Sequence, residues 1–285
     1  MKKFTNLVLV FAFIVLIFSN IKLFSQQTLE QNYGNNPIAG KYAEVNGIKL
    51  YYEIYGEGYP LLILHGNASS IIDGAPFYPE LSKKYKVIAI DTRGQGKSTD
   101  NDKEFTYELF AADVNALLEQ LNIDSVYIWG FSDGANTGLI LTMNYPKKVK
   151  KLLAFGGTLQ PDSSAVSQWM INSNKQTILI TTKPDKKKLA ILMDKHPNIQ
   201  ISELKKIQAP VLVVAGDRDI IRLEHTMKIF ENIPNSQLCI IPGTTHGAPW
   251  EKQELFLTIL TDFFDKPFSA PSTEMFKEYI EGLYR

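Results

Sequence analysis

The apolar run Val126-Tyr127-Ile128-Trp129 leads directly into Gly130-Phe131-Ser132-Asp133-Gly134, and the residues that follow continue with helical spacing. A strand that turns into a helix through Gly-x-Ser-x-Gly constrains this chain more than any other feature. The turn is so tight that the serine sits strained, with its hydroxyl lifted off the end of a sheet. The residues two before and two after it must be small, because side chains there would collide with the neighbouring strand and helix. The five-residue pattern alone is common; the strand before it and the helix after it make this occurrence specific.

The rest of the chain alternates in the same way. Residues 41–45 and 48–55 flank Asn46-Gly47, a two-residue hairpin signal. Residues 60–64 and 86–90 are nearly continuous apolar runs, as expected of strands buried on both faces, with a helix predicted over 77–84 between them. Over 107–121 the apolar residues Leu109, Phe110, Val114, Leu117, Leu118 and Leu121 form a helical stripe. Further strands are predicted at 125–129, 151–155, 211–215 and 237–241, and helices at 132–143, 224–232 and 250–264. Such alternation implies a mostly parallel sheet with helices on both faces. Residues 160–208 break the rhythm, being polar and lysine-rich with helical stretches near 167–172 and 186–194. Inserted between two strands, they are expected to lie over the carboxyl ends of the sheet as a small helical cap. The competing reading is a plain surface insertion.

Lys2 and Lys3, the apolar residues 7–18 and the polar exit over 19–25 suit a secretory signal peptide. The apolar run falls short of the roughly 20 residues that span a bilayer. A signal peptide over 1–25, cut near Ser25 or Gln26, predicts a periplasmic or extracellular destination with no stable membrane span after cleavage; an uncleaved anchor is the alternative. Residues 26–40 read as a flexible lead-in, 41–265 as one domain that includes the cap, and 266–285 as a C-terminal extension with a helical pattern at 275–283. The 30 basic and 30 acidic residues of the whole chain balance, and loss of Lys2, Lys3 and Lys22 leaves a net charge of −3. That balance gives no reason to expect a nucleic-acid partner. The single cysteine, Cys239, has no internal partner for a disulfide and reads as a buried core thiol.

A serine hydroxyl needs a base to become a nucleophile, and the base needs an orienting acid. Of the four histidines, His65 precedes Gly66 at a strand end and suits a turn-shaping role, His196 falls in the expected cap, and His225 lies within a helical pattern. His246, in the loop Gly243-Thr244-Thr245-His246-Gly247 directly after a strand, is left as the candidate base. Either carboxylate of Gly216-Asp217-Arg218-Asp219 is in position to be the acid. Asp219, further out towards the histidine loop, is favoured, and Asp217 is expected to bind backbone amides in the turn. The backbone amides of Asn67 and Asp133 are the candidate oxyanion donors, and Gly66 allows the backbone to come close. No cluster has metal-ligand spacing, and no cofactor is expected.

Over about 41–265 the chain resembles the α/β-hydrolases. The matching segments are 61–67 with its His65-Gly66, Asp91-Thr92-Arg93-Gly94-Gln95-Gly96-Lys97-Ser98, the serine elbow, Gly216 to Asp219, and Gly243 to His246, all in the family's order. The resemblance implies an eight-stranded, mostly parallel sheet, Ser132 as nucleophile, Asp219 as acid and His246 as base, with Asp91 and Arg93 as a solvated structural charge cluster. A serine at the elbow argues against the branches that use aspartate there, the epoxide hydrolases and haloalkane dehalogenases, although Asn67 after His-Gly is similar to the dehalogenase motif. The implied activity is cofactor-free cleavage of a small carboxylic ester through an acyl-enzyme. A lactonase, an aminopeptidase-type enzyme or a C–C hydrolase would share the machinery, and the same residues support a peroxidase side activity. From a different class, a catalytically silent binding protein is disfavoured because all three positions are filled. Finally, Gly-Phe-Ser-Asp-Gly is similar to the elbow of family members acting on α-amino acid esters, where the acid receives the substrate's ammonium group. Asp133 is thus a tentative substrate-binding residue. The preferred reading turns it away to cap the helix, which the amino-end dipole favours by ~0.3–1 kcal/mol.

Overall fold

The computed structural model describes residues 32–284; the expected signal peptide and residues 26–31 of the lead-in lie outside the described residues. Strands β1 (Gly40–Val45), β2 (Ile48–Tyr55), β3 (Tyr59–Leu64), β4 (Tyr85–Ile90), β5 (Val126–Phe131), β6 (Val149–Phe155), β7 (Val211–Gly216) and β8 (Ser236–Ile241) form one sheet. Its order is β1-β2-β4-β3-β5-β6-β7-β8. Asn46 and Gly47, both at positive φ, turn the β1–β2 hairpin. β2 also runs antiparallel to β4, and every other pairing is parallel. The mostly parallel sheet expected from the alternation, with the eight strands that the resemblance implies, is the sheet observed.

Because successive strand residues face opposite ways, the sheet feeds two cores. Leu62, Leu64, Ile128 and Val213 point to one face, under α2 (Tyr107–Gln120), α3 (Asp133–Asn144) and α6 (Leu223–Asn232). Leu61, Ile63, Trp129 and Val214 point to the other, under α1 (Tyr78–Leu81) and α8 (Gln253–Asp265). Fully buried central strands leave only their carboxyl ends and the loops beyond them free for chemistry.

Several expectations are corrected. The helix foreseen over 77–84 stops at Leu81, since Lys83 and Lys84 have nothing apolar to bury. The helix foreseen over 250–264 is broken at Lys252 into α7 (Ala248–Glu251) and α8. There Lys252 Nζ reaches back to the Pro242 carbonyl at 2.5 Å and Glu251 takes the Thr245 amide at 2.8 Å, so the break serves the loop before it. Residues 32–39, read as part of a flexible lead-in, are tied down. The Glu53 carboxylate accepts the Gly34 and Asn36 amides at 2.8 and 2.9 Å, along with the hydroxyls of Tyr51 and Tyr55. Asp91 and Arg93 are structural but not solvated. Both are buried, Arg93 in a two-pronged pair with Asp113 at 2.7 Å and Asp91 on the amides of Ile71 and Lys97. Cys239 is half-buried, not a core thiol; burial raises its pKa.

Residues 160–208 contain α4 (Gln168–Ile180), α5 (Pro184–Lys195) and a short 3-10 turn at Ile201–Lys206. α5 is moored to the body by Lys188 to Asp100 and Lys195 to Glu104. Beyond the sheet, α9 (Thr273–Leu283) leaves Met275, Phe276, Tyr279 and Leu283 exposed. Among the described residues no helix is long and apolar enough to cross a membrane.

Candidate active site

Ser132 stands between β5 and α3 at φ 54° and ψ −115°, a strained conformation for a residue with a side chain. Its surroundings hold it there. The Ser132 amide donates to the Phe155 carbonyl at 2.8 Å, and its own carbonyl takes the amides of Ala135 and Asn136. The need for small flanking residues is explicit: a Cβ on Gly130 would strike the Gly134 carbonyl, and one on Gly134 would strike the carbonyl of Leu64 on β3.

β7 and β8 are neighbours, so the loops after them meet. His246 Nδ1 lies 2.7 Å from Asp219 Oδ1. The Asp219 side chain is fully buried and also accepts the amides of Ile221 at 3.0 Å and Gly216 at 3.3 Å. A carboxylate accepts at Nδ1, so that nitrogen carries the proton and Nε2 is left with its lone pair. Asp217 instead accepts the Thr244 amide at 3.1 Å; the amides of Gly243 and Thr244 hold its carboxyl below the usual range. Asp219 and not Asp217 therefore meets the histidine.

The His246 ring rests on Gly156, the first residue past β6, and 5.0 Å from the Phe131 ring. Gly156 has φ +61°, and a Cβ built on it would come within 2.5 Å of His246 Cε1. His246 Nε2 is buried and has no hydrogen-bond partner among the described residues, so the bond from Ser132 Oγ is not made in this structure. Such bonds often tighten only when substrate is present.

The remaining histidines are accounted for. His65 Nδ1 bonds the Gly66 carbonyl at 2.7 Å and its Nε2 accepts the Thr92 amide at 3.0 Å, a turn-shaping role that burial keeps neutral by lowering its pKa. His225 Nε2 accepts the Leu159 amide at 2.9 Å, and burial lowers its pKa to about 4. His196 ends α5 and faces the cavity described next.

A cavity of about 70 Å³ opens beside Ser132, between the strand ends and the cap, with Tyr107, Asp133, Met170, Asn174 and Ile221 in its wall. The amides of Asn67 and Asp133 have no acceptor among the described residues. Asp133 does not turn away from the site. Its carboxylate accepts the Tyr107 hydroxyl and Asn67 Nδ2, each at 2.8 Å, and burial raises its pKa against the pull of those two bonds. Asn67 Nδ2 also reaches the Leu189 carbonyl of α5 at 3.3 Å. Among the described residues no group of three or more His, Cys, Asp or Glu could hold a metal ion.

Three residues of the site were not singled out from the sequence. Gly156 had a signal, since Gly156-Gly157 follows a predicted strand where backbone must pass close to something. Tyr107 was read only as the start of a helical stripe. Asn174 carried no signal, because its position depends on how the cap folds.

The family model for the α/β hydrolase fold matches residues 59–178, a stretch running from β3 through the elbow and into the cap. The chain has the α/β-hydrolase fold. Among curated proteins it is similar to the serine hydrolase BPHL of Homo sapiens, 29% identical over 256 residues that cover 81% of this chain and 88% of that protein. It is also similar to a 2-hydroxy-6-oxononadienedioate/2-hydroxy-6-oxononatrienedioate hydrolase of Pseudomonas putida, 25% identical over 76% of this chain and 91% of that protein. Solved structures sharing this fold include a bromoperoxidase from Bacillus anthracis, with TM-score 0.72 and 24% identity, covering 80% of this chain and all (100%) of that one. An enol-lactonase from Burkholderia xenovorans gives TM-score 0.67 at 19% identity, over 79% of this chain and 100% of that one.

Proposed function

We propose that this hydrolase-fold protein is a cofactor-free serine hydrolase that cleaves a small carboxylic ester through an acyl-enzyme. The observation that carries the reading is the buried Asp219 carboxylate 2.7 Å from His246 Nδ1, beside a serine held at positive φ on the end of β5. Ser132 Oγ attacks the ester carbonyl while His246 Nε2 takes its proton, and Asp219 stabilises the imidazolium that results. The Asn67 and Asp133 amides receive the oxyanion. Collapse expels the alkoxide, which takes the proton from His246; water then repeats the sequence on the acyl-enzyme and frees the acid. A cavity of about 70 Å³ favours a short acyl group, being about half the ~150 Å³ that admits benzene. The same machinery serves a lactone, and nothing in the geometry separates the two. Lys2, Lys3 and the apolar residues 7–18 support export to the periplasm or beyond as the setting of this activity.

The test is hydrolysis of p-nitrophenyl acetate and butyrate without added metal, together with labelling by a fluorophosphonate, for the parent and Ser132→Ala. Both signals are expected in the parent and neither in the variant. A folded parent that neither turns over nor labels would count against the reading.

Asp133 favours a second, narrower reading. Its carboxylate lines the cavity, so an ester bearing an α-ammonium group would meet a negative charge there. Amino-acid esters compared with matched acyl esters lacking the amine decide this; equal kcat/KM would end it.

A further inference from the structure

The roof of the cavity holds a buried acceptor with no partner among the described residues. Asn174, on α4, is only 7% exposed and lines the cavity beside Ser132. Its Nδ2 donates to the Ala190 carbonyl of α5 at 2.9 Å, which fixes the end of the amide that carries nitrogen. The other end, Oδ1, is buried without a partner among the described residues. A buried acceptor left unmatched is destabilising, and its persistence calls for a reason.

Two other polar side chains of the cavity wall have committed donors: the Tyr107 hydroxyl donates to Asp133, and Asn136 Nδ2 donates to Thr158 Oγ1 at 3.3 Å. With Asn174 Oδ1 open as an acceptor, an occupant that brings a donor is matched there. Met170, Ile171 and Ile221 supply apolar surface for its carbon skeleton. By charge an ammonium group belongs to Asp133, whereas a neutral amide oxygen suits an uncharged O–H.

We propose that Asn174 Oδ1 is a specificity-determining acceptor that receives a hydroxyl on the acyl part of the substrate, making short hydroxyacyl esters the preferred class. The proposal rests on the serine-hydrolase reading only in taking this cavity for the acyl site. Binding is measured by titration calorimetry on the Ser132→Ala protein, so that no ester is consumed. The ligands are phenyl butyrate, phenyl 3-hydroxybutyrate and phenyl 3-aminobutyrate. The hydroxy ester is expected to bind about five- to tenfold tighter than the butyrate, as one added hydrogen bond allows. Adding Asn174→Ala should bring the ratio to about one.

Equal binding of hydroxy ester and butyrate overturns the proposal without any variant at position 174. So does a preference that survives Asn174→Ala, or a preference confined to the amino ester, which assigns the recognition to Asp133. Failure of all three esters to bind overturns the cavity as a ligand site and Asn174 with it. The serine-hydrolase reading fails separately, through absence of turnover and labelling in the parent while the binding preference stands.

Discussion

Replacing Gly156 with alanine puts a methyl group where the His246 ring rests. The added Cβ would lie 2.5 Å from His246 Cε1 and 2.9 Å from Nδ1. Carbon atoms in good contact are ~3.5–4.0 Å apart, so the ring must retreat by about 1 Å. A retreat of that size stretches the 2.7 Å bond between Nδ1 and Asp219 Oδ1 past the length at which it functions as a hydrogen bond. It also misplaces Nε2 relative to Ser132, and an error of about 1 Å in a reacting group costs roughly 10²-fold in rate. Holding alanine at φ +61° costs a further ~1–2 kcal/mol, a fall of about 2–8 °C in Tm for a domain of this size. The expected result is a folded protein with kcat/KM on p-nitrophenyl butyrate reduced roughly 100-fold and fluorophosphonate labelling slowed with it. Gly157→Ala is the control: the nearest atoms to its Cβ would belong to Ala135, Asn136 and Leu139, at 3.3, 3.5 and 3.6 Å, and not to His246, so activity should persist. A Gly156→Ala protein that melts in the expected range yet keeps kcat/KM within about threefold would refute the argument that this glycine sets the histidine's position.

Other outcomes follow from the same geometry. Asp219→Asn should lower kcat by about 10⁴-fold by favouring the wrong imidazole tautomer, while Asp217→Asn, which meets only backbone amides, should retain most activity in the same assay. Arg93→Met leaves Asp113 buried with only Asn46 Nδ2 for company; a loss of about 3–5 kcal/mol is expected in urea unfolding, with normal labelling of the protein that remains folded. His225 is neutral when folded, with its pKa lowered to about 4, and titrates near 6.5 when unfolded. Its contribution is complete above pH 6.5 and is lost as pH falls towards 4, because the unfolded chain then binds the proton first. Stability should fall over that window by about 3 kcal/mol, read as a lower urea midpoint, and His225→Gln should flatten the drop.

The sheet was legible because its central strands are buried on both faces, so that runs such as 60–64 and 211–215 stand out without any knowledge of their partners. The elbow was legible because the collision of Gly130 and Gly134 with nearby carbonyls forbids larger residues. His246 emerged by elimination, and Asp219 by its distance along the turn. Features that depend on distant partners were hidden. The direction of Asp133 is set by Tyr107 and Asn67, and the burial of Arg93 by Asp113. The order of residues 32–39 is set by Glu53. None of these pairings leaves a local pattern, since each joins residues far apart in the chain.

Asn67 divides one amide group between two structural units, and the division is unequal. Its bond to the Asp133 carboxylate is 2.8 Å and charge-assisted, while its bond to the Leu189 carbonyl of the cap is 3.3 Å between neutral groups. If α5 lifts, the longer bond parts first and Asn67 stays with the elbow helix. The contact of Asn67 with the cap can thus part without loosening its hold on Asp133. The cap is tied elsewhere too: Val166 bridges Ile221, and the Ser167 and Arg222 amides bond the Ile220 and Ala165 carbonyls. A change near 165–167 therefore reaches the turn that carries Asp219, whereas a change at Leu189 meets only the weaker of Asn67's two bonds.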